Sequence, residues 1–260
     1  MRDRYMPYMN WVDVKERIDS GIDTVVLPMG ATEQHGRHGP LGTDSFIALE
    51  MSVRIARIIN ALVAPTLTIG YSPQHMSFSG SMTLSIDTFR RLVSEMVESL
   101  MGHRFKKFVF LNAHGGNSSP IDVTAKDLKH KYGEDIQLMV VDMIGIQNSL
   151  ELKEKVEEEL GEKISDPWGS HAGEQESSAV MYFKEELINK ERIGAPFVPE
   201  EYLKISRDPD VHTIIFNLSK YTETGTWGDA SNASAKQGDI FYKHLSQKLA
   251  EKIKSGWELT

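Results

Sequence analysis

Thr24-Val-Val-Leu-Pro-Met29 is a short apolar run rich in β-branched residues that stops at a turn-forming Gly30. It constrains the fold more than any other feature, because a helical pattern follows it and the pair then recurs along the chain. Residues 45–59 carry Phe46, Leu49, Val53, Ala56 and Ile59 at spacings of three and four, which predicts a helix with Thr43 or Asp44 as its cap. Residues 62–67 read as the next strand, 87–101 as a helix, 108–111 as a strand, 119–131 as a helix and 136–141 as a fourth strand. Strands alternating with helices of this length predict an α/β fold: a mainly parallel sheet in a three-layer α/β/α arrangement with right-handed crossovers. A chain of 260 residues fits one such domain over 1–260.

Composition narrows the function. Apolar residues are 40% and charged residues 25%, as in a soluble globular protein with a real core. Lys plus Arg is 29 against 37 for Asp plus Glu, and the formal charge of −8 argues against nucleic acid or anionic membrane and for a small-molecule substrate. With no cysteine, disulfides, thiolate nucleophiles and Cys-based zinc sites are excluded, and His, Asp and Glu remain as strong metal ligands. The start of the sequence, Met1-Arg-Asp-Arg-Tyr-Met-Pro7, has no signal-like apolar run, and no stretch approaches the roughly 20 apolar residues of a spanning helix, so a cytoplasmic location is expected. Residues 151–162 place opposite charges three or four apart and read as a solvated helix face. Residues 194–210 hold three of the ten prolines and read as a long surface loop, and 235–254 as a closing helix.

Three clusters carry the candidate chemistry. The first, Gly30-Ala-Thr-Glu33-Gln-His35-Gly-Arg-His38, runs through a glycine-rich loop to Asp44, between a strand end and a helix start. The second, Asn112-Ala-His114-Gly-Gly-Asn117, follows the strand at 108–111 and should face the same crevice, since ligands of open α/β sheets bind at the carboxyl edge. The third, Trp168-Gly-Ser-His171-Ala-Gly-Glu174-Gln-Glu176, opens a helix. Each alone reads as a polar turn or an acidic helix start; together they match what two divalent ions require, namely a carboxylate that can bridge, further anionic ligands, imidazoles and an activated water. Asp44 can bridge, and Glu33, Asp44 and one of Glu174 or Glu176 offset three of the four positive charges. His75, His103, His130 and His212 fall outside the clusters and read as surface or structural histidines, His38 is a weaker candidate for a substrate contact, and Trp227 reads first as packing and second as a pocket wall.

At these clusters the sequence resembles the creatininase (creatinine amidohydrolase) family, through Pro-Met-Gly-Ala-Thr-Glu-Gln-His-Gly with Asp44, Asn-Ala-His-Gly-Gly-Asn, and His-Ala-Gly-Glu-Gln-Glu-Ser-Ser. The resemblance implies a creatininase-like α/β/α fold, a centre of two divalent ions (Zn²⁺, Mn²⁺ or Fe²⁺), and homo-oligomers, commonly hexamers. It implies that Glu33 and His114 hold one metal and His35 the other, that Asp44 bridges, and that His171 is the acid or base. Metal-bound hydroxide would then attack the carbonyl of a small ring or amide.

One departure matters. Creatininase resembles a His-Tyr-Glu-Asn pattern at the second cluster, where this chain has His114-Gly115-Gly116-Asn117, so a ligand and an aromatic substrate contact are missing. A carboxylate of the third cluster, Glu176 first and Glu174 second, is expected to replace the ligand, and creatinine is not the expected substrate. Branches resembling the His-Gly-Gly-Asn form include deformylases of a formamidopyrimidine ribonucleotide, peptidases of a modified peptide, and hydrolases that open a keto-inositol ring. Few basic residues lie near the clusters, which ranks a neutral cyclic ketone or amide first. The competing reading of another class is a metal-binding regulatory protein without turnover.

Overall fold

The computed structural model describes residues 3–143, 150–166, 171–197 and 217–258. The described strands are β1 (Thr24–Met29), β2 (Leu62–Val63), β3 (Lys107–Asn112) and β4 (Gln137–Asp142). The described α-helices are α1 (Trp11–Asp19), α2 (Thr43–Ile59), α3 (Ile86–Met101), α4 (Ser118–Tyr132), α5 (Leu150–Leu160), α6 (Glu174–Lys184) and α7 (Ala235–Trp257). The strands form one parallel sheet in the order β2-β1-β3-β4.

Alternate residues of a strand face opposite sides, and here both sides are covered. Val26, Val109 and Leu111 pack under α2, α5 and α7, against Ile47, Met51, Val156, Tyr242 and Leu249. Val25, Leu27, Phe108 and Phe110 pack on the other side against Phe89 and Val93 of α3 and Ile121 and Leu128 of α4. The α/β/α layering expected from the alternating pattern is therefore the architecture.

Several boundaries differ from the sequence reading. The strand expected over 62–67 keeps two residues, Leu62–Val63: Ala64 still donates to the Val26 carbonyl, but Pro65 has no N–H to give, and pairing resumes only where Leu67 donates to Pro28. The cap of α2 is Gly42, so Thr43 and Asp44 lie in the first turn, where the Asp44 carboxylate is free for the site. Phe46, Leu49 and Ile59 are only partly buried, while Ile47, Ala48, Met51 and Ile55 are fully buried: α2 is covered on more than one side, and a single apolar stripe does not describe it. Helix α1 was not anticipated; Asn10 caps it by accepting from Val12 and Asp13, and Val14 and Ile18 pack on the α3 side of the sheet. The charged segment is helical to Leu160 with Leu152 and Val156 buried, and the closing helix runs to Trp257. Of the expected loop over 194–210 only 194–197 is described; Trp168, Gly169, Ser170 and His212 also lie outside the described residues. No described helix is long and apolar enough to cross a membrane.

Candidate metal centre

The register of the two central strands sets Met29 beside Asn112. The loops leaving β1 and β3 thus start side by side at the carboxyl edge, one bringing Glu33 and His35 and the other His114. Asn117 ties them, donating from Nδ2 to the Gly30 carbonyl at 3.0 Å and accepting the Tyr71 N–H at Oδ1 at 2.9 Å. Asp44 enters from the first turn of α2, and Glu176 from the first turn of α6.

Asp44 turns one carboxylate oxygen to each of two histidines: Oδ1 is 3.0 Å from His35 Nε2, and Oδ2 is 3.2 Å from His114 Nδ1. Glu33 Oε1 lies 3.3 Å from His114 Nδ1 and 3.7 Å from His171 Nδ1. Glu176 Oε2 lies 3.7 Å from His35 Nε2 and also accepts the Ala172 N–H at 2.7 Å. The opposite nitrogen of three rings meets a backbone carbonyl, which can only accept: His35 Nδ1 donates to Glu33 O at 3.1 Å, His114 Nε2 to Tyr71 O at 3.0 Å, and His171 Nε2 to Gln34 O at 2.6 Å. This is how metal-ligating imidazoles are backed, with one N–H tied down and the other nitrogen aimed at the ion. Glu33 Oε2 is buried with no hydrogen-bond partner among the described residues, a costly state for a carboxylate oxygen unless a cation meets it. The donor set therefore fits hard or borderline divalent ions such as Zn²⁺ or Mn²⁺.

The charges are strained against one another. Burial works to raise the Glu33 carboxyl, yet His114 and His75 bring it down to about 2. Burial opposes a charged His35, but Asp44 and Glu176 prevail and raise it to about 10, and His114 is likewise raised by Glu33 and Asp44. Glu176 is pushed up to about 7, first by burial and then by Asp44 and Glu33, with His35 opposing. His171 is pushed well down by burial and by His35 and His75, so its Nδ1 carries a lone pair toward the cluster.

Glu33, His35, Asp44, His114, His171 and Glu176 all meet here, and Glu174 does not. Its Oε2 accepts from the Ser165 N–H and hydroxyl and the Asp166 N–H at 2.6 to 3.0 Å, bracing the chain before the helix. Gly116 has no room for a side chain, because a Cβ there would fall 2.0 Å from the Tyr71 carbonyl oxygen. Two further histidines are buried near these residues. His38 is buried, with Nε2 3.0 Å from Ser177 Oγ. His75, expected among surface or structural histidines, is buried in the cluster with Nε2 3.4 Å from Glu33 Oε1. It follows the end of β2 at the same sheet edge, a position that could have flagged it. His103 and His130 are exposed as expected, and Trp227 is half-buried with its backbone paired to His171.

An α/β sheet with imidazoles and carboxylates converging at its carboxyl edge defines a candidate metalloenzyme. The chain belongs to the creatininase family, described as creatinine amidohydrolase, whose profile matches residues 7–253. It is 25% identical to the creatinine amidohydrolase of Pseudomonas putida, over 95% of this chain and 94% of that one. It is 26% identical to the 3-dehydro-scyllo-inosose hydrolase of Thermotoga maritima, over 72% of this chain and 58% of that one. Solved creatininases of Zn-Zn type and in a Mn form share the fold, each with a TM-score of 0.79 and 23% identity, over 97% of this chain and 97% and 98% of theirs. The chain is thus an enzyme of a hydrolase family.

Proposed function

We propose that this protein hydrolyses the carbonyl of a small cyclic amide or cyclic ketone with the help of two divalent metal ions. The observation that carries the reading is Asp44, which offers Oδ1 beside His35 and Oδ2 beside His114. Glu33 and His114 would hold one ion, His35 and Glu176 the other, and Asp44 both. When bound, the ions supply an activated water and neutralise the charge that develops on the carbonyl oxygen.

The chain's own residues orient and move the proton. His171, anchored through Nε2–H on the Gln34 carbonyl, presents Nδ1 to the cluster, where it takes a proton from the attacking water and returns it to the leaving group. Glu176, whose Oε2 lies 3.7 Å from His35 Nε2, adds a carboxylate beside His35 where Gly116 offers none, which supports a catalytic centre over a regulatory one. The glycines at 115 and 116 remove the aromatic contact and the ligand of the creatininase pattern, which favours a substrate other than creatinine. The inosose hydrolase relative is compatible with a keto-inositol ring.

The test is a hydrolysis survey of cyclic amides, cyclic ketones, formamides and peptides with the Mn²⁺- or Zn²⁺-loaded protein. Turnover of a cyclic ketone or amide that disappears on chelation is the expected result. Metal-independent turnover, or cleavage of formamides or peptides alone, would overturn the substrate assignment.

A further inference from the structure

The amide of Gln34 can be oriented from backbone partners alone. The Gly36 N–H can only donate and lies 2.9 Å from Gln34 Oε1; the Gly225 carbonyl can only accept and lies 3.0 Å from Nε2. One Nε2 hydrogen then remains, with two imidazole nitrogens in reach, His171 Nε2 at 2.9 Å and His75 Nδ1 at 3.0 Å. His171 Nε2 already bears the hydrogen that it gives to the Gln34 carbonyl. It cannot accept another. The remaining amide hydrogen goes to His75 Nδ1, which must present its lone pair, so the hydrogen of the His75 ring is on Nε2 and faces Glu33 Oε1. This is the reverse of how His35 and His114 are wired. Although Glu33, His75 and His171 are close enough to enclose an ion, His75 lacks a free lone pair to give to it.

The same amide reaches the other side of the site. Gly225 has φ +81°, and a Cβ there would fall 1.9 Å from Gln34 Oε1, so its carbonyl approaches the amide only because the residue is glycine. Two residues on, Trp227 exchanges both backbone hydrogen bonds with His171, at 2.7 and 2.9 Å.

Resting on the metal-centre reading above, we propose that Gln34 is a positioning residue: it makes His75 a hydrogen donor to Glu33 rather than a metal ligand, and it latches the segment at 225–227 that holds His171. Glu33 is then steered by a neutral N–H from His75 at Oε1 while Oε2 stays available, and His171 is held at both its ring and its backbone.

The test is ¹⁵N NMR of the histidine rings in the zinc-loaded protein, repeated in Gln34→Glu, whose carboxylate can accept but not donate. His75 of the unaltered protein is expected to show an unprotonated Nδ1 and a protonated Nε2, and Gln34→Glu to shift Nδ1 to the protonated position. A change of fold alone would not select that nitrogen. A protonated Nδ1 in the unaltered protein, a zinc-bound Nε2, or no change in a folded Gln34→Glu would each overturn the proposal, and the first two need no variant at all. Gln34→Met removes the hydrogen bonds without adding charge, and a drop of about 10- to 100-fold in zinc affinity is expected of a lost supporting contact; an unchanged affinity counts against the proposal. If neither protein binds zinc but His75 shows the expected tautomer and its change, the metal-centre reading fails and the positioning role stands.

Discussion

Gly116 lies so close to Tyr71 that a Cβ would sit 2.0 Å from the Tyr71 carbonyl oxygen and 2.5 Å from His114 Nε2. That carbonyl is the one that fixes His114, so the absence of a side chain at 116 and the orientation of a proposed ligand are one requirement. Gly116→Ala is expected to destabilise the fold by about 1–3 kcal/mol, as overpacking does. Gly116→Glu, which restores the creatininase residue type, is expected to lower metal content rather than add a ligand. Denaturant melts and metal counts on purified variants check both, and a stable Gly116→Glu protein with full occupancy would contradict the account.

Glu174 and Glu176 are expected to separate cleanly. Glu176→Gln should deplete one of two metals and abolish hydrolysis. Glu174→Gln should keep both metals and cost about 1–3 kcal/mol of stability, because the carboxylate that braces Ser165 and Asp166 is buried. Metal loss in the Glu174 variant instead would reverse the assignment.

His171→Ala should spare metal content and lower turnover by roughly 10² to 10⁴, the usual range for a lost general acid or base. Loss of an ion would make His171 a ligand, which its exposed lone pair on Nδ1 also permits.

Metal uptake should release protons. In the metal-free protein His35 titrates at about 10 and Glu176 at about 7, whereas ligation needs a bare imidazole nitrogen and an ionised carboxylate. Affinity is therefore expected to rise with pH, measurable as buffer-dependent heats of binding. His35 and His114 titrate above their ordinary value in the fold, so the stability they lend is complete below about 6.5 and is lost as pH rises through their folded values. The metal-free protein should melt at lower temperature at pH 9 than at pH 7, and metal should reduce that difference. A flat profile without metal would contradict the electrostatic picture.

Where one physical signal governed, the sequence was readable. Helix α3 lies where 87–101 was read as a helix, with Phe89, Val93, Val97 and Leu100 buried, and β1 runs over the residues its apolar pattern indicated. Helix α2 is present where its apolar spacing indicated, but it is buried on several sides, so that spacing does not list all its buried residues; β2 is shorter than the apolar run suggested because Pro65 interrupts the pairing. In the site, Glu33, His35, Asp44 and His114 were legible from two strand-end loops. His75 was not, since the loop after β2 contains no second ligand type near it. Gln34 was visible only as a motif letter, because its role lies in partners 41, 137 and 191 residues away.

The most direct test of the central claim is anomalous diffraction at the manganese edge from crystals grown with Mn²⁺. Two peaks flanking the Asp44 carboxylate are expected, one against Glu33 and His114 and the other against His35 and Glu176. No peak, a single peak, or a peak held by His75 would contradict it.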